Sequence, residues 1–206
     1  MNTMMKRLML FLLVGISTLS CTDTFLPEVS ISDQERADLI FLREEEKLAH
    51  DVYAFSARKY GLPIFSNITA SEERHMQSVL TLLTRFGIPD PVQANAAGVF
   101  HNAELQTLYN GLVDQSSRSL VEALRVGAAI EDLDIHDIDR FYAHTSNTAI
   151  IDVYDRLACG SKNHLRAFVN QLHARSLTYS PQHITQSKFD DIIDAPNGRC
   201  GKGFQN

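Results

Sequence analysis

The sequence predicts an all-α protein, a four-helix bundle with a long crossover between its second and third helices, and three observations carry that expectation. Ser32-Asp33-Gln34-Glu35 and Ser119-Leu120-Val121-Glu122 each read as a capping box, with Ser at N-cap and Glu at N3. Glycine and proline end the runs that follow, at Gly61-Leu62-Pro63 and at Gly87 with Pro89 and Pro91 beyond it. Apolar residues recur at three- and four-residue spacing, and no strand-like alternation of useful length appears.

The first helix is expected from the Ser32 cap to about Tyr60 and the second from about Asn67 to Phe86. The third starts at Ser119 and fades near His144, and the fourth runs from Thr148 to about Arg175. A short helix, Ala103 to Gln115, sits in the long connection, and another, Gln186 to Ile193, precedes the tail. The bundle domain is thereby assigned to residues 32–195, with a tail at 196–206.

The chain of 206 residues has 44% hydrophobic and 21% charged positions, enough for one sizeable core. A formal charge of −6, with Lys and Arg forming no concentrated patch, argues against nucleic acid as a partner. Nothing in the sequence sets the copy number, so a homo-oligomer is admitted.

The first twenty residues read as a leader. Lys6 and Arg7 precede the apolar run Leu8 to Ile16, and small polar residues lead to Cys21. The run is too short for the roughly 20 apolar residues that cross a bilayer. Thr18-Leu19-Ser20-Cys21 has the form of a loose lipobox, which assigns 1–20 to a signal peptide and 21–31 to a linker. Cys21 then carries a lipid that anchors an exported protein to the envelope membrane; plain secretion is the alternative. Export also allows Cys159 and Cys200 to form a persistent disulfide that pins the tail, against the alternative of two unrelated thiols.

The apolar seams carry a shared oddity. They read Leu39, Leu42, Glu46, Ala49, Tyr53 in the first helix and Ile68, Glu72, His75, Val79, Leu82, Phe86 in the second. In the third they read Leu120, Leu124, Gly127, Glu131, Asp134, Ile138, and in the fourth Ile150, Tyr154, Leu157, Ser161, His164, Phe168, Leu172. Each seam is apolar at both ends and is broken inside by polar, mostly ionisable residues. An unpaired carboxylate in such a core costs several kcal/mol or is driven neutral. Two divalent cations resolve this, with Glu46, Glu72, Glu131 and Asp134 neutralising four charges and His75 and His164 binding as neutral ligands. Oxygen-rich ligation with some imidazole suits iron or manganese.

Each position also has an ordinary reading. Glu46 lies in the charged run Arg43 to Lys47, which reads equally as a solvated face, and Glu45 has apolar neighbours at Phe41, Leu48 and Val52. Glu131 and Asp134 sit with Asp132, Asp137 and Asp139 in what reads as a hydrated acidic edge. A lone His164 is more often a satisfied core histidine. The coincidence of four interruptions favours a common metal site over four separate accidents.

Glu46-Lys47-Leu48-Ala49-His50-Asp51-Val52-Tyr53 resembles the first-helix pattern of rubrerythrin-type proteins, and Ser71-Glu72-Glu73-Arg74-His75-Met76 matches their second-helix Glu-x-x-His. More closely, residues 39–193 resemble a ferritin-like domain family of unestablished function found in bacteria and archaea. The resemblance implies a di-iron or di-manganese bundle and, in its enzymatic form, an oxidoreductase acting on peroxide or oxygen. Tyr53 and Tyr154, one helical repeat from Glu46 and Ser161, are with Ser161 candidate outer hydrogen-bond partners, and the tyrosines read equally as ordinary amphipathic core residues. One departure stands out: Ser161 occupies the place of the fourth-helix glutamate, so Asp134 is the substitute ligand, or a single ion is held. A non-catalytic envelope protein that sequesters metal is the second reading, and a metal-free helical interaction module the third. There is no Cys-x-x-Cys pair to build a second iron centre.

Overall fold

The computed structural model describes residues 30–200, and the leader, Cys21 and most of the linker lie outside them. Among the described residues the chain is all-α: α1 (Asp33–Tyr60), α2 (Pro63–Arg85), α3 (Ala103–Arg118), α4 (Leu120–Tyr142), α5 (Thr148–His173) and α6 (Gln186–Asp194). None of these helices is long and apolar enough to cross a membrane.

The ends follow from local chemistry. Ser32 and Glu35 close a reciprocal capping box on α1, and Gly61 ends that helix in the left-handed region at φ 63°. The second helix begins at Pro63, four residues before the expected start. Proline lacks the N–H that a first turn leaves unpaired, so it opens α2 as readily as it stops α1. Ser119 is extended and serves twice, ending α3 and capping α4 by accepting from the Glu122 N–H at 3.1 Å. The expected box there is half formed, because the Glu122 carboxylate accepts from Gln115 instead, at 2.8 Å.

α1 packs on α2 and α4, and α5 packs on α4 and α2; α3 lies against α1 and α4, and α6 against α5. Two apolar clusters result. One contains Leu48, Val52, Phe65, Leu124 and Phe168, the other Leu39, Leu42, Val79, Ile138 and Leu157. Each such side chain contributes about 1.5–3 kcal/mol by leaving water. Along each of the four long helices, the polar seam positions fall between the stretches that feed these clusters.

The charged run on α1 is not a solvated face. Arg43, Glu44, Glu45, Glu46 and Lys47 are all buried: the 86–102 segment folds over Arg43, Glu44 and Lys47, and Glu45 and Glu46 turn to α4 and α2. Arg43 grips Asp90 at 3.1 Å, Glu44 accepts from the backbone N–H of His101 and Asn102, and Lys47 donates to the Ala96 carbonyl. The acidic edge of α4 is likewise partly enclosed. Asp132 is fully buried and accepts from the Tyr179 hydroxyl and from the N–H groups of Gln182, His183 and Ile184, tying the 179–184 segment down. Cys159 on α5 is disulfide-bonded to Cys200, with Cα atoms 5.4 Å apart. Arg166 reinforces this attachment by donating to the Asn197 side chain and the Ile192 carbonyl.

Candidate metal centre

Glu46, Glu72 and Glu131 come from α1, α2 and α4, and His75 and His164 from α2 and α5. The i, i+3 spacing of Glu72 and His75 places both on the inner face of α2. Glu72 is the hub. Its Oε2 lies 2.8 Å from His75 Nδ1, and its Oε1 lies 2.8 Å from His164 Nδ1. Glu46 Oε2 stands 3.2 Å from His75 Nδ1, and Glu131 Oε1 stands 3.4 Å from His164 Nδ1. Two groups could therefore each hold a cation, Glu46–Glu72–His75 and Glu72–Glu131–His164, with Glu72 common to both.

The contacts of Glu72 are close without being aligned as hydrogen bonds, and both of its oxygens remain without a partner. Glu46 Oε1, Glu131 Oε2 and His164 Nδ1 are orphaned in the same way. Lone pairs behave so when they aim at a shared third point instead of at each other. Ligand atoms about 2.1 Å from a six-coordinate cation stand about 3 Å apart, which is the spacing seen here. The donor set is hard oxygen with one imidazole per group, and it fits iron or manganese.

The electrostatics agree. Burial alone would raise the Glu72 carboxyl, but the imidazoles of His75 and His164 outweigh it and hold Glu72 well below the usual carboxylate range. Burial likewise tends to depress the histidines. Glu131 and Glu72 reverse this for His164, carrying it up to about 10, and Glu72 and Glu46 raise His75 well above its ordinary value. Protons thus occupy the nitrogens where cations would bind. Glu46 is pushed up to about 7 by burial, with His75 opposing, and Glu131 is raised by burial against the pull of His164.

Tyr53 donates to Glu131 Oε1 at 2.7 Å and stays protonated, since burial and the charge of Glu131 both oppose its ionisation. Close packing depends on one missing side chain. A Cβ on Gly160 would stand 2.5 Å from His75 Nε2, so only glycine lets α5 approach that ring.

The remaining expected residues fall elsewhere. Asp134 is buried with both oxygens unpartnered, but lies outside both ligand groups; burial and then Glu45, Glu46 and Glu131 drive its carboxyl well above the ordinary range. Ser161 donates to the Leu157 carbonyl of its own helix at 3.2 Å. Tyr154 packs against Phe141 and Tyr142, two turns from Ser161 in the second apolar cluster, and after burial the charges that raise its hydroxyl are Asp38 and Glu35. It is not placed to steady a ligand. Glu45 is the residue that seam counting left out. It is buried, both oxygens lack partners, and burial, Asp137 and Glu46 raise its carboxyl well above the ordinary range. Its signal was its apolar surroundings at Phe41, Leu48 and Val52.

Among the described residues, fold and site together define an all-α protein with a buried glutamate–histidine cluster that could hold cations. The chain belongs to the family described as an uncharacterized protein domain (DUF2202), whose model matches residues 28–196. It is 45% identical over 174 residues to the uncharacterized protein MJ0754 of Methanocaldococcus jannaschii, covering 84% of this chain and 94% of that protein. A crystal structure of the hypothetical protein MJ0754 from Methanococcus jannaschii is similar to it with a TM-score of 0.81, covering 84% of this chain and 99% of that one.

Proposed function

We propose that this chain is a ferritin-like, carboxylate-bridged metal protein that holds two divalent cations, iron or manganese, and acts at the cell envelope as an oxidoreductase on peroxide or oxygen. The observation that carries the metal reading is Glu72, whose two oxygens each approach a different histidine nitrogen at 2.8 Å. The ferritin-like reading is supported by α1, α2, α4 and α5 surrounding one polar layer, and by the long α2–α4 connection, which contains α3. The basic and apolar start of the sequence and the lipobox form around Cys21 support export and anchoring.

When bound, such a pair of ions would supply or take up two electrons in one place. The protein's own residues prepare that place. Tyr53 fixes Glu131, Gly160 admits His75, and the apolar clusters on either side exclude bulk water. Asp134 and Glu45 hold protons on carboxyl oxygens beside Glu46.

A second reading, sequestration without turnover, is favoured by Ser161. Its hydroxyl is spent on Leu157, so α5 offers a histidine but no carboxylate. Anaerobic iron loading followed by air, with metal content read by mass spectrometry and absorbance followed throughout, separates the readings. Two irons per chain and a near-ultraviolet charge-transfer band on admitting air support the oxidoreductase. Bound metal that does not respond to air supports sequestration. A chain that takes up no metal is the helical interaction module instead.

A further inference from the structure

The two histidines turn Nδ1 towards the glutamates, and both rings line one cavity of about 430 Å³ between α2 and α5, where the Nε2 edge of His75 lies beside Gly160. His75 and His164 are 8% and 9% exposed, whereas Glu46, Glu72 and Glu131 are fully buried. The nitrogens turned away from the carboxylates are donors once a cation sits at Nδ1. A neutral imidazole that binds a cation through Nδ1 must carry its proton on Nε2, and an imidazolium carries one on both nitrogens.

What surrounds those nitrogens is unlike the rest of this acidic chain. Arg74, Arg156 and Ser71 line the cavity, and among the described residues no carboxylate does, although the protein carries a formal charge of −6. Arg74 donates one N–H to the Ala70 carbonyl at 2.7 Å, which leaves the rest of its fork for a ligand. Cys200, held by its disulfide, forms part of the wall, and Asn163 ties the adjacent Gly198 through paired bonds of 2.9 Å. The ligand groups add to the bias. Two dications held by their three glutamates would leave one uncompensated positive charge behind the imidazoles.

We propose that this cavity is a binding site for a small tetrahedral oxyanion of the inorganic phosphate class, which accepts from Nε2–H of His75 and His164 and from the guanidinium groups of Arg74 and Arg156. Charge-assisted bonds from guanidinium and imidazole to such an oxyanion are the strong kind. The anion would bear directly on the outer edges of the proposed metal ligands, so binding at the two places is coupled. The site goes beyond the metal reading: its imidazole donors rest on that reading, whereas its guanidinium donors do not.

The test is calorimetric titration of the purified chain with inorganic phosphate at low ionic strength, metal-loaded and chelator-treated, beside the R74Q/R156Q double variant. Glycerol phosphate titrated in parallel separates a free oxyanion from a phosphate monoester. Binding of about one phosphate per chain is expected, at least about tenfold weaker in the double variant, while metal content and melting temperature stay unchanged. In manganese-loaded protein freed of excess metal, the phosphorus resonance should broaden saturably, and about fivefold less in the double variant. Undiminished binding by the double variant, absence of phosphate binding in both forms of the wild-type chain, or a clear preference for the monoester would overturn the proposal. A chain that binds phosphate as described but holds no metal refutes the metal reading and leaves this one standing.

Discussion

Two groups of buried carboxyls lie side by side in this core, and opposite neighbours give them opposite character. Glu72 faces imidazole nitrogens with both oxygens and is held as a carboxylate. Glu45 and Asp134 face Asp137, Glu46 and each other, and are driven towards the neutral acid. All three are essentially inaccessible, so burial does not separate them. Histidine does. Where imidazoles stand opposite the acids, the polar layer keeps charges that a cation can replace; where acids meet without an imidazole, burial and repulsion favour a proton.

The strongest way to break this contrast is to remove the hub. Glu72→Gln should abolish binding of both cations, because both ligand groups use that carboxylate. Asp134→Asn should retain them, since Asp134 belongs to neither. Metal content by mass spectrometry decides, and equal losses in the two variants would erase the distinction.

Next in size is the effect of pH on metal-free protein. Glu46 has a folded value of about 7 against 4.5 when unfolded, and Asp134 and Glu45 shift the same way. A raised acid contributes stability that is fully present below its unfolded value and lost as pH rises through the folded one. Glu72 runs the other way, stabilising above 4.5 and losing that contribution as pH falls below the ordinary carboxylate range. His164 adds stability below 6.5 that disappears only as pH approaches about 10. The melting temperature of chelator-treated protein should therefore fall between pH 5 and 8, by the sign of the shifts just cited. Metal-loaded protein should show a smaller fall, because ligands must lose protons to bind and only Asp134 and Glu45 then keep raised values. Glu45→Gln should flatten the metal-free slope, and an unchanged slope would mean that Glu45 titrates normally.

Smaller effects probe how the centre is held. Gly160→Ala forces a methyl to 2.5 Å from His75 Nε2, so the ring must shift. The cation shared by Glu46 and Glu72 should then weaken more than the one at His164, as separate binding steps in calorimetry would show. Tyr53→Phe removes the 2.7 Å bond to Glu131 and should weaken the His164-side cation by about tenfold, at a stability cost of about 1 kcal/mol. An unaltered second binding step would make Tyr53 a packing residue only.

Much of this was written in the chain. The broken seams located Glu46, Glu72, His75, Glu131 and His164, because a helix turns residues three and four apart to one face, and four polar gaps at matching heights must meet. The tail's attachment through Cys159 and Cys200 was an even-handed choice that spacing could not decide, since sequence holds no Cα separation. Other features needed tertiary context. The run Arg43 to Lys47 looked solvated because the 86–102 segment that covers it lies roughly fifty residues away in sequence. Tyr154 shares a seam with His164 but sits at another level of the core, a difference of height that a face count does not register. Gly160 was silent, because the ring that needs its missing Cβ belongs to another helix.

The central claim, that one glutamate joins two cations, is tested most directly by manganese titration with electron paramagnetic resonance. Two manganese ions per chain with an exchange-coupled signal are predicted, and the coupled signal should vanish in Glu72→Gln. Isolated-ion spectra at every loading, or a coupled signal that survives loss of Glu72, would contradict it.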